Sequence, residues 1–146
     1  MVMDEHNGKV KEFNGLNREI EGVYHVVSRK VGLSDGAFTV LYNIWDMGEG
    51  CLQKDICSAS CVSKQTIHSV VKKLEKEGIL YLKPGKGREM RIFLTEGGRT
   101  LVKEKIAPVA AMEEDAFGQL TEEEWRQYLQ GMRRYLEYFK MKVKEL

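Results

Sequence analysis

The chain has 146 residues, of which 42% are hydrophobic and two are proline, so it can bury a core and does not read as disordered. Its 23 basic and 22 acidic residues give a net charge of +1, which by itself argues against nucleic acid as a partner. No apolar run approaches the roughly 18–20 residues of a membrane span. The first residues lack a secretory signal, and three cysteines fit a reducing compartment. We therefore expect a cytoplasmic protein without membrane contact.

Two amphipathic helices are predicted near the N-terminus. From Lys9 to Lys30 apolar side chains recur every three or four residues, which predicts a long helix. Ser34 is suited to begin a second helix, because its hydroxyl can accept a free backbone N–H of the first turn. Four large apolar residues then gather on one side of that helix: Phe38, Leu41, Tyr42 and Trp45.

The central segment predicts a short helix, a tight turn and a longer helix. Ser63 is a good N-cap for the longer helix, and Gly78 follows its last apolar residue, where a helix end favours positive φ. The apolar stripe consists of Ile67, Val70, Val71 and Leu74. Polar and basic side chains point the other way or flank the outer face: Gln65, Ser69, Lys72 and Lys76, with Thr66, His68 and Lys73.

A basic hairpin follows this helix. Two β-prone runs, 79–82 and 90–95, flank a glycine- and proline-containing connection, and four cations lie within or beside it: Lys83, Lys86, Arg88 and Arg91. From Val62 to Arg91 there are eight Lys or Arg against three Glu, whereas Met112 to Glu124 has six acids and no Lys or Arg. The near-neutral total therefore hides a dipolar chain whose basic pole coincides with the helix and hairpin.

This arrangement is typical of a protein that places a helix in the major groove of DNA and a cationic hairpin on the backbone or in the minor groove. Glutamine can pair with the edge of adenine and lysine with that of guanine. The predicted DNA contacts are Ser63, Lys64, Gln65, Thr66, His68, Ser69, Lys72, Lys73, Lys86 and Arg88.

The C-terminal part predicts further helices. Gly97 and Gly98 precede a helical segment that runs to about Phe117 and that Pro108 should kink or break. Thr121 and Glu124 form a capping box for the last helix. Its apolar stripe consists of Trp125, Tyr128, Leu129, Met132, Tyr135, Leu136, Phe139 and Val143.

That stripe holds more apolar surface than a small module can cover, so we expect a symmetric homodimer; the alternative is an intramolecular helix pair in a monomer. The predicted fold class is mainly α with a small β-hairpin wing (α+β). We expect residues 1–33 to form an N-terminal dimerisation helix, residues 34–100 a winged helix-turn-helix module, and residues 101–146 the C-terminal dimerisation helices.

Four motifs, in their order and spacing, resemble the MarR family of bacterial winged-helix regulators: Gln53-Lys-Asp-Ile-Cys57, Ser63-Lys-Gln-Thr-Ile67, Lys73-Leu-Glu-Lys-Glu-Gly-Ile79 and Leu94-Thr-Glu-Gly-Gly-Arg99. The resemblance covers nearly the whole chain. It implies a homodimeric repressor or activator of nearby genes, often released by a small phenolic or lipophilic ligand or by oxidation. Two positions bear on how closely the chain follows the family pattern. Family members often have an acid two residues before the wing arginine, which is Arg88 here, whereas this chain has Lys86. The turn between the two DNA-binding helices, where a small residue is common, contains Cys61, which argues against a turn that strictly needs glycine.

The resemblance also implies a ligand pocket between the dimer helices and the winged module. Its candidates here are Tyr24, His25, Phe38, Tyr42 and Trp45, aromatic side chains and a histidine that suit a small aromatic or lipophilic effector. Core packing is the alternative role for each of them.

Two rival functions remain open on the sequence. Cys51, Cys57 and Cys61 lie within the predicted DNA-binding module, which makes a thiol-based redox sensor the first alternative, although their spacing is not a zinc pattern. A winged-helix protein-interaction module is the second, and it predicts a neutral or acidic wing. We expect no enzyme, no metal and no cofactor, because no nucleophile–base pair or phosphate loop is recognisable.

Overall fold

The computed structural model describes the backbone from Val2 to Leu146 and the side chains from Gly8 onward. The chain divides into two compact units, one ending at Val109 and one covering Ala110–Leu146. The elements over these residues are α1 (Val2–Lys30), α2 (Asp35–Met47), β1 (Cys51–Leu52), α3 (Gln53–Ser60), α4 (Lys64–Lys76), β2 (Leu80–Pro84), β3 (Met90–Leu94), α5 (Glu96–Lys105), α6 (Ala107–Phe117) and α7 (Glu122–Val143). None of the helices in this range is both long enough and apolar enough to span a bilayer.

The three strands form one antiparallel sheet in the order β1–β3–β2. Because side chains alternate across a strand, Leu80, Ile92 and Leu94 are buried on one face. Tyr81 and Phe93 pair on the other face, with their ring centroids 5.7 Å apart. The mainly α fold with a small β-hairpin wing is confirmed, and β1 adds a short third strand that the sequence did not predict.

A single core occupies the first unit, where α2, α3 and α4 pack together under the sheet. Its least exposed side chains come from all of these elements and from α5 and its C-terminal flank, and include Val40, Leu41, Ile44, Ile56, Ile67, Val71, Leu80, Ile92 and Ile106. The apolar stripe predicted for the segment after Ser63 therefore faces the core, with Val70 only half-buried.

The predicted helix starts are confirmed by side-chain caps. The hydroxyls of Ser34, Ser63 and Thr121 accept the backbone N–H groups of Ala37, Thr66 and Glu124, respectively. The break at Pro108 is also confirmed, since α5 ends at Lys105 and α6 begins at Ala107. The expected position of the glycine pair differs: the Thr95 hydroxyl caps α5, so Gly97 and Gly98 lie in its first turn rather than before it.

Two left-handed residues end the helices of the central module. Gly78, at φ 74°, lets the N–H of Ile79 reach the carbonyl of Leu74 and its own N–H reach that of Glu75. This is a Schellman motif, and it requires the positive φ that glycine takes without strain. Cys61 has φ 55° and ψ 24° at the end of α3, so the turn before α4 takes the left-handed form without a glycine.

Gly98 lies where α5 approaches the backbone of Ile79, the residue before β2. A Cβ atom at this position would lie 1.8 Å from the carbonyl oxygen of Ile79. That oxygen already accepts hydrogen bonds from the Thr95 backbone N–H and hydroxyl, at 3.0 and 3.1 Å. Because backbone meets backbone here, a side chain cannot be accommodated by a rotamer change.

We expect Gly98→Ala to lower the free energy of unfolding by about 2–3 kcal/mol, because α5 must move away from Ile79. The matched control is Gly97→Ala, where the nearest atom to an added Cβ is the Thr95 hydroxyl at 3.9 Å. That variant should be neutral or more stable by up to about 1 kcal/mol, since alanine favours the helix. Urea denaturation measures both, and equal stabilities of the two variants would contradict the close approach.

Candidate nucleic-acid interface

The outer face of α4 carries the polar and basic residues that the sequence assigned to it. All seven predicted contacts within the helix are exposed: Lys64, Gln65, Thr66, His68, Ser69, Lys72 and Lys73. Ser63, also exposed, is tied to the helix end, because its hydroxyl accepts the Thr66 N–H and donates to Thr66 Oγ1 at 2.9 Å. The face contains no acid before Glu75, so a polyanion meets only neutral and positive groups on the first turns.

Helix α3 packs against α4 and places the side-chain amide of Gln53 beside the exposed face of α4. Ile56 of α3 is fully buried, and the Asp55 carboxylate accepts the Leu52 N–H at 3.0 Å at the start of the helix. The side chain of Gln53 reaches His68 on α4, with Oε1 3.2 Å from Nδ1. An amide oxygen only accepts, so this pairing requires the Nδ1–H tautomer of a neutral His68, in which Nε2 is an acceptor.

The four wing cations fall into two groups. Arg91 donates from Nη1 to the carbonyl of Gly50 at 2.8 Å, and Lys83 Nζ lies 5.6 and 5.3 Å from the ring centroids of Tyr81 and Phe93. These two therefore stabilise the sheet. Lys86 and Arg88 lie exposed at the tip, and neither forms an ion pair within the part of the chain that the structure describes.

Glu89 joins the base of the wing to the helix-turn-helix. Its carboxylate lies 3.8 Å from Lys54 Nζ on α3 and 3.7 Å from Arg91 Nη2. Its backbone closes the tip, because Glu89 O accepts the Gly85 N–H at 2.8 Å and Glu89 N–H donates to Lys86 O at 3.2 Å. The acid at the base of the wing thus comes one residue after Arg88, whereas position 86, two residues before it, is a lysine.

Sequence reasoning did not single out Gln53, Lys54 or Glu89 as site residues. The available signal was weak, because the contacts from Gln53 to His68 and from Lys54 to Glu89 join residues far apart in the chain. Such pairs follow from the packing of α3 on α4 and on the sheet, which no local pattern reveals.

A second feature of the first unit is a cavity of about 400 Å³ that opens between α1, α2 and the end of α3. It brings together four of the five predicted ligand residues: Tyr24, His25, Phe38 and Tyr42. Trp45 does not line it. That side chain lies by a different depression, together with Glu49, Arg99 and Lys103.

A hydrogen-bonded acid sits at the edge of the cavity. The Ser28 hydroxyl, from a buried residue, donates to Asp35 Oδ1 at 2.5 Å, and His25 Nδ1 lies 2.7 Å from Asp35 Oδ2. The Ser28 hydrogen bond, followed by that of His25, holds the pKa of the Asp35 carboxyl below its usual value.

The three cysteines are free thiols in different surroundings: Cys51 is buried, Cys57 half-buried and Cys61 exposed. Burial, with the nearby charge of Asp55, raises the pKa of the Cys51 thiol, which disfavours its reactive thiolate form.

We expect Gln53→Leu to change the tautomer of His68. For Nε2 of the parent chain, the pairing predicts the nitrogen shift of an unprotonated, pyridine-like atom in a two-dimensional proton–nitrogen spectrum. Removing the Gln53 oxygen should move the hydrogen toward Nε2, the tautomer preferred in water. Gln119→Leu is the control, since that amide donates to Asp115 O instead. An unchanged His68 spectrum in Gln53→Leu would refute the pairing.

Comparison with known proteins gives a sequence match and many structural ones. The MarR family model matches residues 31–89, which run from the end of α1 to the wing. No curated protein sequence matches the chain significantly.

Solved structures similar to this chain match it along most of its length. A MarR family regulator from Neisseria meningitidis has a TM-score of 0.71 at 21% identity, covering 92% of this chain and 97% of its own. MepR from S. aureus, solved as a DNA complex, has a TM-score of 0.68 at 22% identity, with 88% and 96% covered. A MarR family protein from Listeria monocytogenes, solved with 26mer DNA, has a TM-score of 0.68 at 21% identity, with 88% and 87% covered. At these identities the matches establish the fold.

Proposed function

We propose that this chain is a winged-helix regulator of the MarR family and that it binds DNA in a sequence-specific manner. In this proposal it acts as a homodimer on a palindromic operator inside the cell, as a repressor whose affinity a small ligand modulates. Residues 34–100 read the DNA, and residues 1–33 and 101–146 form the dimer.

One observation carries the proposal: the exposed face of α4 and the tip of the wing are polar or basic, while the opposite face of α4 is buried in the core. Ile67, Val71 and Leu74 are between 0 and 2% exposed. The helix cannot rotate without exposing them, so its outward face stays fixed. A protein-interaction wing would be neutral or acidic, and here Lys86 and Arg88 are exposed at the tip.

The two parts of this surface have different tasks in the proposal. Helix α4 fits the major groove, where Gln65 can pair with N6 and N7 of adenine and Lys72 with O6 and N7 of guanine. His68, with Nε2 as an acceptor, suits an exocyclic amino group of cytosine or adenine. Arg88 and Lys86 contact the backbone or minor groove, where attraction depends on charge and groove width.

Dimerisation is supported by apolar surface that each chain leaves uncovered. On α7 the side chains of Tyr128, Leu129, Tyr135, Leu136 and Phe139 are between 39 and 53% exposed. On α1 the same holds for Val10, Leu16, Ile20 and Val23, at 52 to 61%. Burial of such stripes in a two-fold interface would also set two copies of α4 about one DNA turn apart.

Ligand control is supported by the cavity beside α1 and α2. In the dimer, the two winged helix-turn-helix modules can have more than one spacing. A ligand that binds one spacing more tightly shifts the population toward that spacing. Oxidation is the alternative signal, and it is favoured only by the exposure of Cys61 in the turn before α4. The matching family model and the similar solved structures are those of transcription regulators, which supports a regulatory role for this chain.

We expect Gln65→Ala and Arg88→Ala to weaken DNA binding in different ways. Loss of Gln65 should reduce discrimination at one base pair by about 1–3 kcal/mol. Loss of Arg88 should weaken all sequences alike and lower the slope of log affinity against log salt by about one unit. Fluorescence anisotropy with the operator and with single-base variants measures both, and Lys103→Ala on α5 is the matched control for charge.

Two results would contradict this division of tasks. Equal losses on every sequence for Gln65→Ala would remove its base-reading role. An affinity for Arg88→Ala equal to that of Lys103→Ala would remove the wing from the interface.

We expect Leu136→Glu to convert a dimer into a monomer, because two carboxylates would enter the apolar interface. Light scattering should give twice the chain mass of 16.8 kDa for the parent protein and for Glu137→Ala, the control on the same helix. A parent protein that is monomeric at all concentrations would refute the dimer and favour the intramolecular helix pair.

A further inference from the structure

We propose that the cavity between α1, α2 and the end of α3 binds an organic cation with a flat aromatic body. This inference rests on the proposed effector site and names the chemical class of its ligand. It narrows the sequence-based expectation of an aromatic or lipophilic effector, and it excludes the phenolate or aryl carboxylate that such an expectation would admit.

Acidic residues outnumber Lys and Arg at the cavity. Its lining includes Glu21 and Asp35, and no Lys or Arg is among the described residues that line it. Asp35 remains ionised near neutral pH, since the Ser28 hydroxyl and His25 both stabilise its charged form. Arg29 also acts on Asp35 but is not part of the lining. A bound anion would therefore meet two acidic residues and no Lys or Arg in the described lining, where the basic side chain is that of His25, already paired with Asp35.

The walls suit the body of such a ligand. Tyr24, Phe38 and Tyr42 form a continuous aromatic series, with centroid distances of 6.4 Å and 5.7 Å between neighbours. Aromatic faces attract cations and stack on flat apolar groups. The volume of about 400 Å³ lies in the range that small organic ligands occupy.

A ligand in the cavity would lie beside the end of α3, which precedes the proposed DNA-contacting helix α4. Ser60, the last residue of α3, lines it and donates its hydroxyl to the carbonyl of Ile56 at 2.6 Å. The same oxygen accepts the Val62 N–H at 3.3 Å, across the left-handed turn at Cys61. A ligand that displaces Ser60 therefore acts directly on the turn that positions α4.

The test uses three probes that share one ring system: 1-naphthylmethylammonium, 1-naphthylmethanol and 1-naphthoate. Isothermal titration calorimetry on the full chain without DNA should give an affinity for the cation at least roughly tenfold higher than for the anion, with the alcohol between them. Glu21→Gln keeps the size of the side chain and removes its charge, so it should reduce the preference for the cation several-fold. Glu19→Gln, an exposed acid on α1 that is not in the lining, should leave it unchanged.

Equal affinities for cation and anion, a preference for the anion, or binding of none of the probes would overturn the inference. So would equal effects of Glu21→Gln and Glu19→Gln. Selective operator binding by the same preparation, measured separately, would then leave the regulatory function standing. A clear cation preference in a protein without sequence-selective DNA binding would support the ligand site and refute the regulator.

Discussion

The burial of one face of α4 is the contact on which the rest of the structure depends. Ile67, Val71 and Leu74 insert between α2, α3 and the sheet, and their removal from water fixes the rotation of the helix about its axis. Everything on the opposite face follows from this. Gln65, Ser69 and Lys72 project outward because 3.6 residues complete a turn, so the core specifies the reading surface without contacting it.

The segments around α4 are positioned by contacts between particular residues. At its start, the left-handed turn at Cys61 and the cap by Ser63 set the angle between α3 and α4. At its end, Gly78 reverses the chain into β2, and Gly98 lets α5 approach the backbone of Ile79. Glu89 and Arg91 then fasten the wing to α3 and to the loop before β1. Lys86 and Arg88 at the wing tip remain exposed.

The features that the sequence predicted depend on local rules. The caps at Ser34, Ser63 and Thr121, the break at Pro108 and the stripe on α4 need only neighbouring residues for their explanation. The remaining features depend on contacts between distant segments. β1 has two residues and exists because Cys51 pairs with Ile92.

Two wing cations and one aromatic residue also show that local sequence patterns do not predict contacts between distant segments. Arg91 and Lys83 look like free cations in the sequence, whereas in the fold a distant carbonyl and two stacked rings engage them. Trp45 shares the helical face of Phe38 but lies seven residues farther on, about 10 Å along the axis, and so reaches a different depression. Periodicity predicts a face, and tertiary packing decides which part of that face lines a cavity.

The measurement that tests the central claim most directly is a fluorescence-anisotropy titration of the protein with DNA from upstream of its own gene, against scrambled DNA of the same length and at two salt concentrations. The account predicts tight binding to the first DNA, with one dimer per site and a selectivity that persists at the higher salt. Weak binding that is equal on both DNAs and collapses with salt would reflect backbone attraction alone. That result would contradict a sequence-reading role for α4.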